Sequence, residues 1–306
     1  MKEANGQPVK LAHYPVAVSL ASGEGDQTSR TAAYPREFLH NRFVYVVVSP
    51  RARGLSVGVN MNPDKQCQFN CMYCEVDRAV SPGGPRLDVG LMATELKQTL
   101  EYVRAGRLRE LHAYRKVPDE LLKLRHVALS GDGEPTLASQ FGEALQEVLH
   151  VRALIGSPFF KLVLITNGVG LDLVAVERGM NHLTKEDEIW IKLDGGTQAY
   201  LNRVNGANVP LAKILANILR VGRQRPVVIQ SLFPAINGQE PSLEEIGQYA
   251  CRLRELKQAG AQISLVQIYS ATRPTLHSEC GHLPLKVLSN IVHTVRQATG
   301  LKAEVF

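Results

Sequence analysis

The chain has 306 residues, of which 44% are hydrophobic and 21% charged, which excludes a disordered or fibrous protein. Its net charge of +6 is compatible with a polyanionic partner but does not require one. The longest strongly apolar run near the start, Phe43 to Val48, is far too short to span a bilayer, and the opening MKEANGQP lacks the apolar segment of a signal peptide. We therefore expect a cytoplasmic protein with no membrane partner.

The first segment, residues 1 to about 40, shows no sustained periodicity and is expected to form a mobile or loosely docked arm. Beyond it, short runs rich in Val, Ile and Leu alternate with segments of helical periodicity. The predicted strands are 55–61, 126–130, 161–166, 188–194, 226–233 and 261–269. The predicted helices are 93–104, 140–154, one opening at Pro210, one between a Ser242–Glu245 capping box and Gly260, and 285–298, followed by a short final strand.

Strands that alternate with helices predict an α/β fold with a parallel sheet and right-handed crossovers. Such a sheet gathers its chemistry at the carboxyl ends of the strands. In this chain CQFNCMYC follows the first predicted strand, GDGEP the second and Asn167 the third, and Lys192 and Asp194 end the fourth. These segments are therefore expected to meet at one edge of the sheet.

Three of the five cysteines, Cys67, Cys71 and Cys74, lie within eight residues. Thiolates bind soft metals, and a closed zinc site or a fully protein-ligated cluster needs four ligands. Of the other two, Cys251 falls in a predicted helix, where a small buried hydrophobe is expected, and Cys280 lies in a loop between two histidines. The group of three either leaves a coordination position open for a substrate, or belongs to a zinc knuckle with a distant ligand, or has no common role.

The spacing C-x3-C-x2-C, with Tyr73 before the last cysteine, resembles the cluster motif of the radical S-adenosylmethionine superfamily. In that superfamily three cysteines hold a [4Fe–4S] cluster, and the amino and carboxylate groups of S-adenosylmethionine chelate the fourth iron. The resemblance implies a partial (β/α)6 TIM-like barrel, which we expect over residues 51–284, after an N-terminal arm and lead-in over 1–50 and before a helix–strand extension over 285–306.

The resemblance also implies an activity. The reduced cluster would cleave S-adenosylmethionine, and the resulting 5′-deoxyadenosyl radical would abstract hydrogen from a substrate. An electron donor such as a flavodoxin or a ferredoxin would be required.

The same resemblance assigns residues to the cofactor. The glycine-rich acidic segment that faces the ammonium of the cofactor matches Gly131, Asp132, Gly133 and Glu134, while Tyr73, Asn167, Lys192, Asp194 and Gln230 are further candidates. Lys192 and Asp194 share one face of a strand and suit the carboxylate and ribose of the cofactor, or else form an internal salt bridge. Arg273 would clamp a carboxylate or phosphate of substrate or cofactor, or else pair with a surface acid.

More of the chain resembles the wyosine-synthase branch of the superfamily, whose members rebuild a methylated guanine of tRNA with pyruvate. The matching motifs are RGLSVGVNMNPDKQCQFNCMYCEVDR, SGDGEPTL, ITNGVGL, IKLDGGTQAYLNRVNG and VQIYSATRP. Wyosine synthases hold a second iron–sulfur cluster through cysteines on the N-terminal side of the core, whereas this sequence has no cysteine before Cys67. We therefore expect no second cluster and a different overall reaction.

Three hypotheses about function follow. The first is radical chemistry on RNA, for example on a tRNA base. The segment 104–126 has seven Arg or Lys residues against three acids and would offer a basic face to RNA. Alternatively, this segment is a solvated amphipathic segment. The second is the same chemistry on a small molecule or peptide, where Lys192 would alternatively form a Schiff base with a carbonyl group. The third is a non-catalytic iron–sulfur or zinc protein.

Overall fold

An eight-stranded sheet forms the centre of the computed structural model, which describes residues 38–78, 86–156, 159–272 and 275–306. In chain order the strands are β1 (Val44–Ser49), β2 (Gly54–Asn60), β3 (Leu124–Ser130), β4 (Lys161–Thr166), β5 (Glu188–Lys192), β6 (Val227–Leu232), β7 (Ala235–Ile236), β8 (Ile263–Tyr269), β9 (Cys280–Gly281) and β10 (Ala303–Val305). The sheet has the order β1-β2-β3-β4-β5-β6-β8-β10, and β7 pairs separately with β9.

All neighbouring strands of the large sheet are parallel except β1, which pairs antiparallel with β2. The six predicted strands are β2 to β6 and β8, so the predicted parallel α/β sheet is confirmed. Strands β2 and β6 are buried along their whole length, as expected of parallel strands covered on both faces. The run from Phe43, considered in the sequence only as too short for a membrane span, instead supplies strand β1.

Helices follow most of the parallel strands and pack on the outside of the sheet. They are α1 (Val89–Arg104), α2 (Phe141–Ile155), α3 (Val174–Met180), α4 (Gln198–Asn205), α5 (Leu211–Gln224), α6 (Leu243–Gln258) and α7 (Leu285–Thr299). The short helices α3 and α4 were not predicted. No helix in the described parts of the chain is long and apolar enough to cross a membrane.

The predicted capping box at α6 is only half formed. The Ser242 hydroxyl accepts the Glu245 backbone N–H at 3.1 Å, as a cap should. The Glu245 carboxylate, however, does not return to Ser242; it accepts the Gly196 N–H at 2.6 Å and the Thr197 hydroxyl at 2.6 Å. This side chain therefore fastens α6 to the loop after β5 and restrains the segment that carries Asp194.

Side chains alternate between the two faces of the sheet, as the period of a strand requires. Residues such as Ile189, Ile191 and Ile229 belong to the large core shared with the helices. Their neighbours Trp190 and Val228 form a separate small apolar cluster with Val163 on the opposite, inner face. This inner face lines the partial TIM-like barrel, and it carries the polar residues Lys192, Gln230 and Gln267 in adjacent register.

The turn between β1 and β2 bridges the two edges of this open barrel. Arg53 forms an ion pair with Glu304 of β10 at 2.5 Å. The Arg51 guanidinium stacks over the ring of Tyr269, at the end of β8, at 4.5 Å. Strands β1 and β10 thus extend the sheet at either side of the predicted core, whose boundaries at 51 and 284 stay a prediction. The arm predicted for residues 1–40 lies almost entirely outside the described residues.

Candidate active site

The three clustered cysteines occupy the loop that follows β2. Cys71 is buried, Cys67 and Cys74 are half-buried, and all three are free thiols. The loop turns tightly, because the Cys74 N–H donates to the Cys71 carbonyl at 2.9 Å. It is also tied to the end of α4 by the hydrogen bonds from Asn70 N–H to the Asn205 carbonyl and from Met72 N–H to the Val204 carbonyl, both 2.8 Å. The fold therefore fixes the backbone that presents the thiols.

Each of the three sulfur atoms accepts at least one N–H group. Cys67 Sγ accepts the Phe69 backbone N–H at 3.4 Å, and Asn167 Nδ2 lies at 3.8 Å. Cys71 Sγ accepts Asn205 Nδ2 at 3.3 Å, and Cys74 Sγ accepts Arg78 Nη1 at 3.1 Å. Such donors stabilise thiolates and are the outer-shell partners that tune a thiolate-bound metal centre.

The protein alone does not favour the thiolate form of Cys67 or Cys71. Burial raises the pKa of Cys71 to about 11, more than the nearby Lys192 and Asn205 lower it. Burial also raises the pKa of Cys67. A bound metal removes the proton of a coordinating thiol outright, so these buried thiols become thiolates when a cation is held there.

The donor set fits an iron–sulfur cluster, which takes soft thiolate ligands assisted by N–H groups. Among the described residues, no group of three or more His, Cys, Asp or Glu side chains is arranged to hold a single metal ion. A cubane cluster presents a separate iron atom to each thiolate, so its ligands do not converge on one point. We conclude that the residues present fit a cluster held by Cys67, Cys71 and Cys74.

The segment after β3 packs directly against the cysteine loop. Gly131 has a φ of +144°, and a Cβ there would lie 2.2 Å from Asn60 Oδ1. A Cβ on Gly133 would lie 2.1 Å from the Gln66 carbonyl, one residue before Cys67. Both positions therefore require glycine, and the two loops are held in close contact by the hydrogen bond from the Glu134 N–H to that same carbonyl at 2.7 Å.

Glu134, predicted to receive the cofactor ammonium, is buried and accepts hydrogen bonds from the groups around it. Its Oε1 accepts the Thr136 N–H at 3.1 Å and the Thr136 and Thr166 hydroxyls, and its Oε2 accepts the Asn167 N–H at 2.7 Å. Burial raises its pKa, against the lowering effect of these donors. The carboxylate therefore joins the ends of β3 and β4, and its predicted role toward the cofactor stays a prediction.

The neighbouring Asp132 is half-buried and joins the same two loops. Its Oδ2 accepts Asn60 Nδ2 at 2.7 Å, and its N–H donates to Asn60 Oδ1 at 3.0 Å. Its carbonyl accepts Arg78 Nη2 at 3.1 Å, while the other end of that guanidinium donates to Cys74. Arg78 thus clamps the cysteine loop to the glycine-rich segment.

Lys192, Tyr73, Asp194 and Asn205 form one hydrogen-bonded chain beside Cys71. Lys192 Nζ donates to the Tyr73 hydroxyl at 2.9 Å, and that hydroxyl donates to Asp194 Oδ2. Asn205 Nδ2 donates to the same carboxylate oxygen at 2.7 Å. The alternative expectation, a direct salt bridge between Lys192 and Asp194, is wrong: the two side chains are linked indirectly, through Tyr73.

Opposing effects set the protonation of this chain. Burial lowers the pKa of Lys192, but Tyr269, Asp194 and Cys71 outweigh it and raise the pKa above the ordinary lysine range. Burial and the charge of Asp194 raise the pKa of Tyr73. Lys192 is therefore a fixed cation, and Tyr73 is a neutral donor at physiological pH.

Two further predicted residues lie on the same side of the barrel. Asn167 is buried, and its Nδ2 donates to Gln68 Oε1 at 3.0 Å near Cys67. Gln230 is fully buried on the inner face beside Lys192; its Nε2 donates to Gln267 Oε1 at 3.0 Å, but its own Oε1 has no partner among the described residues. This buried oxygen can accept one further hydrogen bond, and the predicted role of Gln230 toward the cofactor stays a prediction.

Arg273, Cys251 and Cys280 are the remaining residues that the sequence singled out. Arg273 lies outside the described residues. Cys251 is in helix α6 as predicted, but it is half-buried and donates to Glu255 Oε1 at 3.4 Å, so it is not the buried hydrophobe expected from the sequence. Cys280 lies in β9 and packs on a small apolar cluster with Met72.

Several residues of the site were not predicted from the sequence. Asn205 and Arg78 contact sulfur atoms, and Arg51 and Tyr269 lie on the inner face of the barrel. Asn205, Arg78 and Tyr269 do occur within the quoted motifs, in LNRVNG, CEVDR and VQIYSATRP, whereas Arg51 does not. For Asn205 and Arg78, their polar character at the ends of such motifs was the available signal.

The fold is an α/β fold that places three clustered thiols at the carboxyl ends of its parallel strands. The family model described as the radical SAM superfamily matches residues 61–250. This span contains the three clustered cysteines and the predicted cofactor residues from Tyr73 to Gln230. The chain therefore belongs to the radical SAM superfamily, whose members are enzymes that use S-adenosylmethionine.

Two curated relatives are similar in sequence. The UPF0026 protein slr1464 of Synechocystis sp. is 31% identical over 179 residues, which cover 57% of this chain and 57% of that protein. A UPF0026 protein of Helicobacter pylori is 25% identical over 244 residues, which cover 77% of this chain and 70% of that protein. The match thus spans little more than half the length of the Synechocystis protein.

Solved structures with the same fold include two radical enzymes. TYW1 with a lysine–pyruvate adduct bound is 17% identical, with a TM-score of 0.52 over 82% of this chain and 75% of that one. Streptococcus suis SuiB bound to S-adenosylmethionine is 14% identical, with a TM-score of 0.53 over 80% of this chain and 49% of that one. At these identities the likeness shows the fold alone.

Proposed function

We propose that Cys67, Cys71 and Cys74 hold a [4Fe–4S] cluster and that S-adenosylmethionine binds beside it, at the carboxyl ends of β3 to β6. When bound, the cluster and the cofactor would supply reductive one-electron cleavage of S-adenosylmethionine and radical hydrogen abstraction from the substrate. The observation that carries this proposal is that all three thiols accept N–H groups within a loop packed against the GDGEP segment.

The residues of the chain then act by positioning and charge. Arg78, Asn167 and Asn205 orient the three thiols, and Lys192 presents an ammonium for the carboxylate of the cofactor. The unpaired Gln230 oxygen offers an acceptor to a cofactor donor. A Schiff-base role for Lys192 is disfavoured, because a nucleophilic lysine needs a lowered pKa and the pKa of Lys192 is raised.

The test is anaerobic reconstitution of the purified protein. We expect about four irons per chain and 5′-deoxyadenosine on addition of dithionite and S-adenosylmethionine. Cys71→Ala should abolish both, whereas Cys251→Ala, which removes a cysteine on helix α6, should change neither. Zinc occupancy without cofactor cleavage would contradict the proposal and support the non-catalytic alternative.

A tRNA base is one candidate substrate, supported by the net charge of +6 and by the resemblance to the wyosine-synthase branch. The segment 104–126 adds little support, because most of its cations are occupied by acids of the same segment. The ion pairs there are Arg107–Glu110, Arg109–Asp119, Lys123–Glu120 and Arg125–Glu120. A salt-sensitive shift of tRNA would support RNA as the substrate, and no binding at low salt would remove it.

A further inference from the structure

The inner face of the barrel carries two cationic side chains without a carboxylate partner. Arg51 is half-buried and stacks over the ring of Tyr269 at 4.5 Å. Lys192, also half-buried, donates to the Tyr73 hydroxyl at 2.9 Å. No carboxylate in the described parts of the chain lies within ion-pair distance of either cation.

Tyr269 faces the inside of the barrel because of the alternation along β8. Its neighbours Val266 and Ile268 point into the large core shared with the helices, so Leu265, Gln267 and Tyr269 face inward. The Arg51 guanidinium stacks over the ring of Tyr269 at 4.5 Å, so it lies on the inner side of the sheet.

The acidic side chains near this inner face have other ion-pair or hydrogen-bond partners. Glu188 accepts Lys161 Nζ at 2.5 Å and the indole N–H of Trp190 at 2.7 Å. Glu304 is paired with Arg53 at 2.5 Å. Asp194 accepts the Leu232 N–H at 2.8 Å in addition to its bonds with Tyr73 and Asn205. The positive charge of Arg51 and Lys192 is therefore left for a ligand.

Polar groups beside the cations complete the inner wall. Gln230 and Gln267 follow Lys192 in adjacent register across β5, β6 and β8, and both are buried. The Gln230 oxygen is unpaired. An arginine that stacks on an aromatic ring keeps its planar fork of donors free, which suits a carboxylate or a phosphate group.

We propose that Arg51, held against Tyr269, binds a small oxyanion, a carboxylate or a phosphate monoester, on the substrate of this enzyme. This inference rests on the proposed function, in which Lys192 serves the carboxylate of the cofactor. Among the described residues of the inner face, two cations lack a carboxylate partner and the cofactor has one carboxylate, so Arg51 supplies the charge for a second anion. Arg51 comes from the turn between β1 and β2, outside the segments assigned to the cofactor, which is why its anion is assigned to the substrate.

Trp190 provides a probe of this site in the intact protein. It is the single tryptophan of the chain, it lies two residues before Lys192 on the inner face, and it packs against His126 with ring centroids 5.3 Å apart. We would titrate acetate and, separately, inorganic phosphate into the reconstituted protein saturated with S-adenosylmethionine, and follow Trp190 fluorescence against sodium chloride of equal ionic strength. Saturation by acetate identifies a carboxylate site, and saturation by phosphate a phosphate site.

Arg51→Gln should weaken the binding of the anion about tenfold or more. Arg51→Lys should retain part of it, because the charge remains without the planar fork. Arg107→Gln is the matched control: its guanidinium also stacks on an aromatic ring, that of Tyr102 at 4.5 Å, but it is exposed and lies after α1, so its loss should leave the affinity unchanged.

Three results would overturn the inference: no saturable response to either anion in the wild type, unchanged affinity in Arg51→Gln, or displacement of S-adenosylmethionine by the anion. The last would mean that Arg51 holds the cofactor carboxylate. Formation of 5′-deoxyadenosine by the wild-type protein without substrate tests the radical chemistry separately, so failure of this anion site is distinguishable from failure of that chemistry.

Discussion

Arg78 and Cys74 are joined by a charge-assisted hydrogen bond, with Nη1 of the guanidinium 3.1 Å from the sulfur atom. The same guanidinium donates to the Asp132 carbonyl at 3.1 Å, so one side chain contacts both the cysteine loop and the glycine-rich loop. The charges and hydrogen bonds of the thiols raise the pKa of Arg78 in turn, although burial opposes them. Arg78 thus places a permanent positive charge next to Cys74, one of the three proposed cluster ligands.

We predict that Arg78→Gln makes the reduction potential of the cluster more negative. A cation beside a thiolate favours the more negatively charged, reduced cluster, and its loss should shift the midpoint by up to about 60 mV, equivalent to about 1.4 kcal/mol. A redox titration followed by electron paramagnetic resonance measures this. Arg254→Gln is the control, because Arg254 donates to the sulfur of Cys251 on helix α6 at 3.4 Å, so the same kind of contact is lost away from the cluster. Equal potentials for wild type and Arg78→Gln would refute the role.

Gly133→Ala should disrupt the junction between the two loops. The added Cβ would lie 2.1 Å from the Gln66 carbonyl, and this backbone cannot move without displacing Cys67. We expect lower iron content and a loss of S-adenosylmethionine binding, measured by iron analysis and equilibrium dialysis. In Gly247→Ala, inside helix α6, the new Cβ meets nothing within 4 Å, and stability should rise by about 0.5–1 kcal/mol. Normal iron content in Gly133→Ala would show that the loops do not need this contact.

The sequence predicts the strands of the sheet better than the contacts of the site, for physical reasons. Strand β4 was predicted with its bounds, because a buried parallel strand is a continuous apolar run ended by a turn residue. The bond between Asn205 and Cys71 could not be predicted, since the two residues are 134 positions apart and only the packing of α4 on the cysteine loop joins them.

Glu134 illustrates the same limit within a motif. Its position after β3 was evident from the sequence. The four groups that donate hydrogen bonds to it lie at the end of β4 and in the turn after β3, and only the folded structure shows that they meet at this carboxylate. A motif gives the residue type, and the tertiary structure decides which of its atoms are already satisfied. Arg51 shows the converse, because no motif marks it and only the bridging turn brings it to Tyr269.

Asp194→Asn should destabilise both the fold and the cluster site. The carboxylate accepts from Tyr73, Asn205 and the Leu232 backbone, and an amide nitrogen in place of one oxygen leaves buried donors facing a donor. We expect a loss of about 1–3 kcal/mol in the free energy of unfolding, together with reduced iron content because Asn205 also orients Cys71. Urea unfolding and iron analysis measure the two effects.

The control for that substitution is Asp172→Asn. Asp172 pairs with Lys213 near the surface, where the two side chains are 28% and 38% exposed. Its loss should cost about 0–1 kcal/mol and leave the iron content unchanged. If Asp194→Asn behaved like Asp172→Asn, the buried hydrogen-bonded chain would not support the cluster site.

His126 should make the stability of the protein depend on pH. It is buried on the inner face against Trp190, its Nδ1 has no partner among the described residues, and burial, with the charges of Lys161 and Arg51, lowers its pKa to about 3. The unfolded chain binds a proton at a pKa of about 6.5. Between these values only the unfolded state is protonated, so the free energy of unfolding falls as the pH falls, by about 2 kcal/mol between about pH 6.5 and pH 5.

His126→Phe keeps the aromatic contact with Trp190 and removes the titrating group, so this part of the pH dependence should disappear. Urea midpoints at about pH 7, 6 and 5 measure the difference between variant and wild type. His293→Gln removes an exposed histidine of helix α7 and should retain the wild-type slope. If wild type and His126→Phe had parallel slopes, His126 would be protonated in the folded protein and the prediction would be wrong. A protonated His126 would need an acceptor or a water molecule at its ring, and the described residues supply no acceptor to Nδ1.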